Sequence, residues 1–241
     1  MSSAPIITQI ISFLSMPIIA RLYSPVNFGL FNLLGALVGP LLSFSNLGYH
    51  QAIVLPKNNQ DAVNLVYGNL AISIITSTCI LFLLLIIPES IWFNFKVDLL
   101  ITFWWTIPLT VLLHGINLTF TGWNQRKTNF KTISASRVIN SIANKAYLLV
   151  FGFAGYATTG SLIFGSLIGV VAMTLLQMSP LFKTKFIFSS YRVIISLLNN
   201  YKKFPLFILS SDFLYRFTNS VIIYLMAYYF GEKVVGYYGM S

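Results

Sequence analysis

Long apolar runs, each about the length of a bilayer-crossing helix and separated by short basic intervals, constrain this chain more than any other feature. A hydrocarbon core is crossed by roughly 20 apolar residues in a helix. Lipid offers no partner to an unpaired backbone N–H or C=O, so such runs must be helices that satisfy their own hydrogen bonds. Composition agrees. Of 241 residues, 56% are hydrophobic and 8% charged, where a soluble domain carries about 25% charged residues. That is too little charge to cover a globular surface. The expected fold is all-α, a polytopic transmembrane helix bundle.

Seven spans are predicted at about 5–20, 28–47, 63–87, 99–121, 133–153, 158–178 and 204–230, with the start of an eighth near Val234. The first is read as a retained span rather than a cleaved signal. It lacks a basic start and a small-residue cleavage site, and it carries Pro5 and Pro17. The charges then assign sides. Lys57 follows the second span, Arg126, Lys127 and Lys131 follow the fourth, and Lys183, Lys185, Arg192, Lys202 and Lys203 follow the sixth. The alternate intervals hold Arg21, Lys96 and Lys233 beside Glu89, Asp98 and Glu232. Nine basic residues against three put the first set, and the N-terminus with it, in the cytoplasm. The net charge of +10 is therefore an orientation signal, and nucleic acid is not an expected partner.

Cys79 is the single cysteine, so neither an intrachain disulfide nor a thiolate metal site is available. Trp92, Trp104, Trp105 and Trp123 fall near span ends, where tryptophan anchors at the interface. The connection from Pro180 to Phe204 alternates apolar residues with Tyr191, Arg192, Lys202 and Lys203, the pattern of an amphipathic helix lying on an anionic leaflet. An internal echo links Pro25-Val26-Asn27-Phe28-Gly29-Leu30-Phe31 to Glu232-Lys233-Val234-Val235-Gly236-Tyr237-Tyr238; in both, an aromatic follows two residues after glycine. The two copies share an orientation, as in transporters built from parallel repeats.

Ionisable groups inside a span cost several kcal/mol unless they meet water or a partner. On span five, Ser134, Arg137, Asn140, Ser141, Asn144 and Lys145 recur at helical steps and share a face. Lys145 lies roughly 18 Å beyond the cytoplasmic end, too deep to snorkel back easily. Span four carries Thr110, His114, Asn117 and Thr121, and span seven carries Asp212, Arg216, Asn219 and Ser220. The spacing of Asp212 and Arg216 allows a local ion pair. For the hydroxyl and amide groups the competing role is interhelical hydrogen bonding. For Arg137 and Lys145 that role is weaker, because Asp212 is the one acid within the spans. The excess positive charge favours an anionic passenger. Arg137, Lys145, Asn140, Asn144, Asp212, Arg216 and His114 are thus the candidate cavity residues. No carboxylate pair, metal cluster, nucleophile motif or phosphate-cradling glycine loop stands out, so neither an enzyme nor a cofactor is expected.

Five segments carry a resemblance. They are Ala20-Arg21-Leu22-Tyr23-Ser24-Pro25-Val26-Asn27-Phe28-Gly29, Asn46-Leu47-Gly48-Tyr49-His50-Gln51-Ala52, Asn124-Gln125-Arg126-Lys127-Thr128-Asn129-Phe130-Lys131, Tyr201-Lys202-Lys203-Phe204-Pro205, and Phe230-Gly231-Glu232-Lys233-Val234-Val235-Gly236-Tyr237-Tyr238. In this order and spacing the chain resembles O-antigen flippases of the Wzx type, in the multidrug/oligosaccharidyl-lipid/polysaccharide exporter superfamily. The resemblance implies a MATE-like two-lobed transporter. Residues 1–179 would form the first six-helix lobe, 180–204 the cytoplasmic connection and 205–241 the start of the second lobe. It also implies an inner-membrane protein that carries undecaprenyl-diphosphate-linked oligosaccharide from the cytoplasmic to the periplasmic leaflet. Expected partners are that lipid-linked sugar, membrane lipids, a polysaccharide polymerase and glycosyltransferases. The family is longer than this chain, which reads as a truncated form. The competing functions are a cation-coupled multidrug exporter and a non-transporting membrane partner in polysaccharide assembly.

Overall fold

Each predicted span folds as a helix over most of its described residues, as backbone without water must. The computed structural model describes residues 4–86, 102–179 and 190–240. Its helices are α1 (Ala4–Leu22), α2 (Pro25–Leu42), a 3-10 helix (Tyr49–Val54), α3 (Asn59–Ile86), α4 (Thr106–Arg126), α5 (Phe130–Phe153), α6 (Thr159–Met178) and α7 (Tyr191–Asn200). A π-helical turn (Pro205–Leu209), α8 (Ser210–Phe230) and α9 (Glu232–Met240) follow. There is no strand among the described residues. Five elements, α1, α2, α3, α6 and the π turn with α8, are long and apolar enough to cross a membrane. The other two predicted spans, α4 and α5, reach 21 and 24 residues and carry polar seams. The chain is an all-α, multi-pass membrane protein.

Local signals explain the helix starts. Ser24 caps α2 by accepting from the Asn27 N–H, and Pro25 occupies the first turn, where a missing N–H costs nothing. At α6, Thr158 and Ser161 form a reciprocal capping box. One boundary differs from expectation. The second span was expected to run to residue 47, but α2 ends at Leu42. Beyond it the chain tightens into three-residue steps, with Ser43, Phe44 and Ser45 donating to Pro40, Leu41 and Leu42. Leu47 (φ 52°) and Gly48 (φ 76°) then reverse it through the left-handed region. At the other end of this connection, Arg126 holds the incoming loop by donating from Nη1 to the carbonyls of Ile53, Val54 and Pro56, the last at 2.6 Å.

In lipid, apolar side chains gain little by leaving an apolar solvent, so close packing must hold the helices. Small residues accordingly sit at the crossings. A Cβ at Gly115 on α4 would strike the Ser73 side chain, and one at Gly122 would strike the His50 carbonyl. Gly152 on α5 receives Leu22 and Tyr23, while Gly165 and Gly169 on α6 receive Leu148 and the Asn140–Asn144 turn of α5. α8 runs antiparallel along α2, with Ser220 against Gly39, Phe213 edge-on to Phe44, and Ile208 against Gly48.

The interfacial reading of Trp123 is corrected. It is 2% exposed, within a core cluster with Ile53, Leu65, Val66 and Phe120. Its place near the end of α4 suggested an anchor, but the 3-10 helix folds back over that end and covers the ring. Trp92, Glu89, Lys96, Asp98, Lys183 and Lys185 lie outside the described residues.

Candidate functional site

Where α8 meets the end of α2, a cleft of about 560 Å³ opens between them and the 3-10 helix. Its α8 wall carries Asp212 and Arg216, and Ser43, Asn46 and His50 face it from the α2 side. One helical turn separates Asp212 from Arg216, and the expected pair is formed, Arg216 Nε donating to Asp212 Oδ2 at 2.9 Å. Only Nε is engaged. The terminal guanidinium nitrogens have no partner among the described residues.

The opposite wall is polar and underused. Asn46 Oδ1 accepts from the Gly48 N–H and lies 3.1 Å from His50 Nδ1, which fixes the turn. Asn46 Nδ2, Ser43 Oγ and His114 Nε2 are buried without a hydrogen-bond partner in the structure. Such groups cost about 1–3 kcal/mol each when left unmade. A water or polar ligand that reached Ser43 and Asn46 on the cleft wall would recover that cost. His114 lies within electrostatic reach of Arg216, Asp212 and His50, so four ionisable groups from three elements converge. Burial pushes the His50 imidazole down to about 4, with the Asp212 carboxylate opposing that shift. It is therefore neutral at pH 7, leaving one anion and one cation on the α8 wall.

The Asp212–Arg216–His114 group is brought together; the α5 group stands apart from it. Asn140 and Asn144 pack against Gly169 of α6, so part of the predicted seam serves helix packing. Arg137 is exposed and Lys145 half-buried, on a helix that packs on α6 and α1. On α4, Asn117 reaches Thr174 at 3.4 Å, and Thr121 donates to Gln177 at 2.8 Å, both interhelical bonds to α6. Asn219 is exposed and bonds back to Tyr215.

At the opposite end of α2 the two echo segments meet each other. A Cβ on Gly29 would strike the Glu232 carbonyl, one on Gly236 would strike the Pro25 carbonyl, and one on Gly239 would strike Asn32. Aligning Pro25 with Glu232 makes these contacts reciprocal: the fifth residue of each copy touches the first of the other. That is the signature of a two-fold relation. A family model described as polysaccharide biosynthesis protein matches residues 18–241.

The chain belongs to that family. No curated protein and no solved structure matches it significantly. In this polysaccharide biosynthesis protein the sequence reading missed Ser43, Asn46 and His50. On the sequence Ser43 and Asn46 fall inside span two and His50 in the segment that closes it. The left-handed Leu47–Gly48 turn brings His50 onto the cleft wall with Ser43 and Asn46, and the run of Asn, Gly and His after an apolar span was the available signal.

Proposed function

We propose that the chain acts in moving undecaprenyl-diphosphate-linked oligosaccharide repeat units from the cytoplasmic to the periplasmic leaflet of the inner membrane. Residues 1–179 would serve as the first lobe, 180–204 as the cytoplasmic connection and 205–241 as the start of the second. The observation that carries this reading is the polar cleft in a membrane protein of a polysaccharide biosynthesis family, lined by Arg216, whose terminal nitrogens have no partner among the described residues. A guanidinium fork matches phosphate oxygens in geometry and charge. Asp212 keeps that cation poised while the cleft is empty, and a diphosphate replaces the carboxylate as its partner. Rocking of α8 against α2 alternates the cleft between the two sides, in the manner of transporters built from parallel repeats. Arg137 and Lys145 stand apart from the cleft on α5 and offer the same anion a second positive surface, and His114 lies beside the cleft on α4. A lipid-linked sugar keeps its tail in the bilayer, so only its charged head needs this lining.

Cells depending on this protein for surface polysaccharide provide the test. Arg137→Ala and Lys145→Ala should each lower display by roughly tenfold, the size of one lost charge-assisted hydrogen bond of about 1.5 kcal/mol. Membrane abundance should stay near normal, and Lys145→Arg should be milder than Lys145→Ala. Normal display in the double alanine variant would refute the binding role of α5. Absence of labelled lipid-linked sugar transport by the wild-type chain in proteoliposomes would favour a non-transporting partner.

A further inference from the structure

A second opening, a groove of about 660 Å³, is bounded by α7 and the 3-10 helix and shares no lining residue with the cleft. One face of α7 is committed to the protein. Ile194 and Leu198 pack at Gly68 of α3, Leu197 and Tyr201 join the cluster around Trp123, and Tyr49 Oη donates to the Leu198 carbonyl at 3.1 Å. The other face is open. Arg192, Ile195, Asn199 and Lys202 follow one another at steps of three and four residues along the groove, and Ser196 sits among them. Lys202 continues the line past the helix end because its N–H still bonds the Asn199 carbonyl. No acid lines this groove, and neither cation has an ion-pair partner among the described residues.

Two features choose the ligand. The backbones of Arg192 and Lys202 stand about 15 Å apart along the helix axis, at 1.5 Å per residue, a spacing that suits a row of phosphates better than a single one. They are accompanied by exposed apolar groups one turn apart, Tyr191 at 62% and Ile195 at 61%. A soluble anion satisfies the cations and leaves those side chains in water. Neighbouring anionic phospholipids satisfy both, phosphates on the cations and acyl chains beneath the apolar groups. We infer that this groove seats the phosphodiester headgroups of anionic phospholipids, making α7 a lipid-binding strap clamped to α3 and the 3-10 helix.

The full chain, purified and stripped of lipid in detergent, tests this by titration with phosphatidylglycerol and with phosphatidylcholine of the same chains, bound lipid being counted by native mass spectrometry. Phosphatidylglycerol should bind saturably and more tightly. The Arg192→Gln/Lys202→Gln double variant should lose affinity roughly tenfold or more, as expected for two cations facing an anionic surface. Arg192→Lys/Lys202→Arg should retain binding, which separates loss of charge from misfolding. Lys57→Gln/Lys131→Gln, an equal change of charge elsewhere, should also retain it. Equal affinity for the two lipids, equal loss in both glutamine doubles, or displacement of the lipid by millimolar inorganic phosphate would each overturn the assignment.

Discussion

A carboxylate or guanidinium alone within a membrane span costs several kcal/mol, and Asp212 and Arg216 escape that cost through each other. With side chains 37% and 28% exposed, the pair faces an open cleft and not a sealed core. Its loss should cost less than the roughly 3–5 kcal/mol of a fully buried pair broken on one side. Reversing either charge alone, Asp212→Arg or Arg216→Asp, puts two like charges one turn apart. About 1–2 kcal/mol of stability should go with it, once solvent screening is allowed for. The exchanged double variant restores the pair and should recover most of that loss in thermal unfolding measured in detergent. Equal melting of the double and the worse single variant would show that the two side chains are not coupled. The exchange also removes the guanidinium from position 216, so transport should remain impaired where stability recovers.

At the scale of elements, the crossing of α2 and α9 depends on absent side chains. Gly29 and Gly236 let each helix lay its backbone against a carbonyl of the other, at a steric distance no Cβ tolerates. Gly29→Ala and Gly236→Ala should each destabilise the fold by about 1–3 kcal/mol, the usual cost of overpacking. Gly35→Ala, on the same helix with open space around it, should be neutral or slightly stabilising. Thermal unfolding of the three variants in detergent measures the contrast, and equal behaviour would show that the crossing does not depend on close approach. Helix existence was legible because span length and apolarity follow directly from bilayer thickness and backbone hydrogen bonding. The echo was legible as a pattern, but only the fold reveals that its copies touch. Periodicity shows which residues share a face and leaves open what that face meets. Asn140 and Asn144 were read with Lys145 as lining, yet they meet Gly169 of α6. Trp123 was read from its place near a span end, and the fold of a neighbouring segment buried it.

Across the whole molecule, contacts between connections sort them into two ends. Arg126 bonds the Pro56 carbonyl, Tyr49 bonds the Leu198 carbonyl and Gly48 receives Ile208, which gathers the loops after α2 and α4 with α7. Asn27 bonds the Ala157 carbonyl at 2.8 Å and Gly236 meets Pro25, which gathers the other loops. Among the described residues the first end holds Lys57, Arg126, Lys127, Lys131, Arg192, Lys202 and Lys203, and the second holds Arg21 and Lys233. Such an imbalance in short loops sets orientation, because basic residues resist translocation. The first end should therefore face the cytoplasm. Cys79 is exposed and must first be replaced by serine. In that background, Gln125→Cys and Tyr156→Cys place one thiol at each end, both at exposed positions. A membrane-impermeant maleimide applied to the periplasmic side should label position 156 directly and position 125 only after permeabilisation. The reverse pattern would invert the topology, and with it the side from which the cleft beside Asp212 and Arg216 receives its ligand.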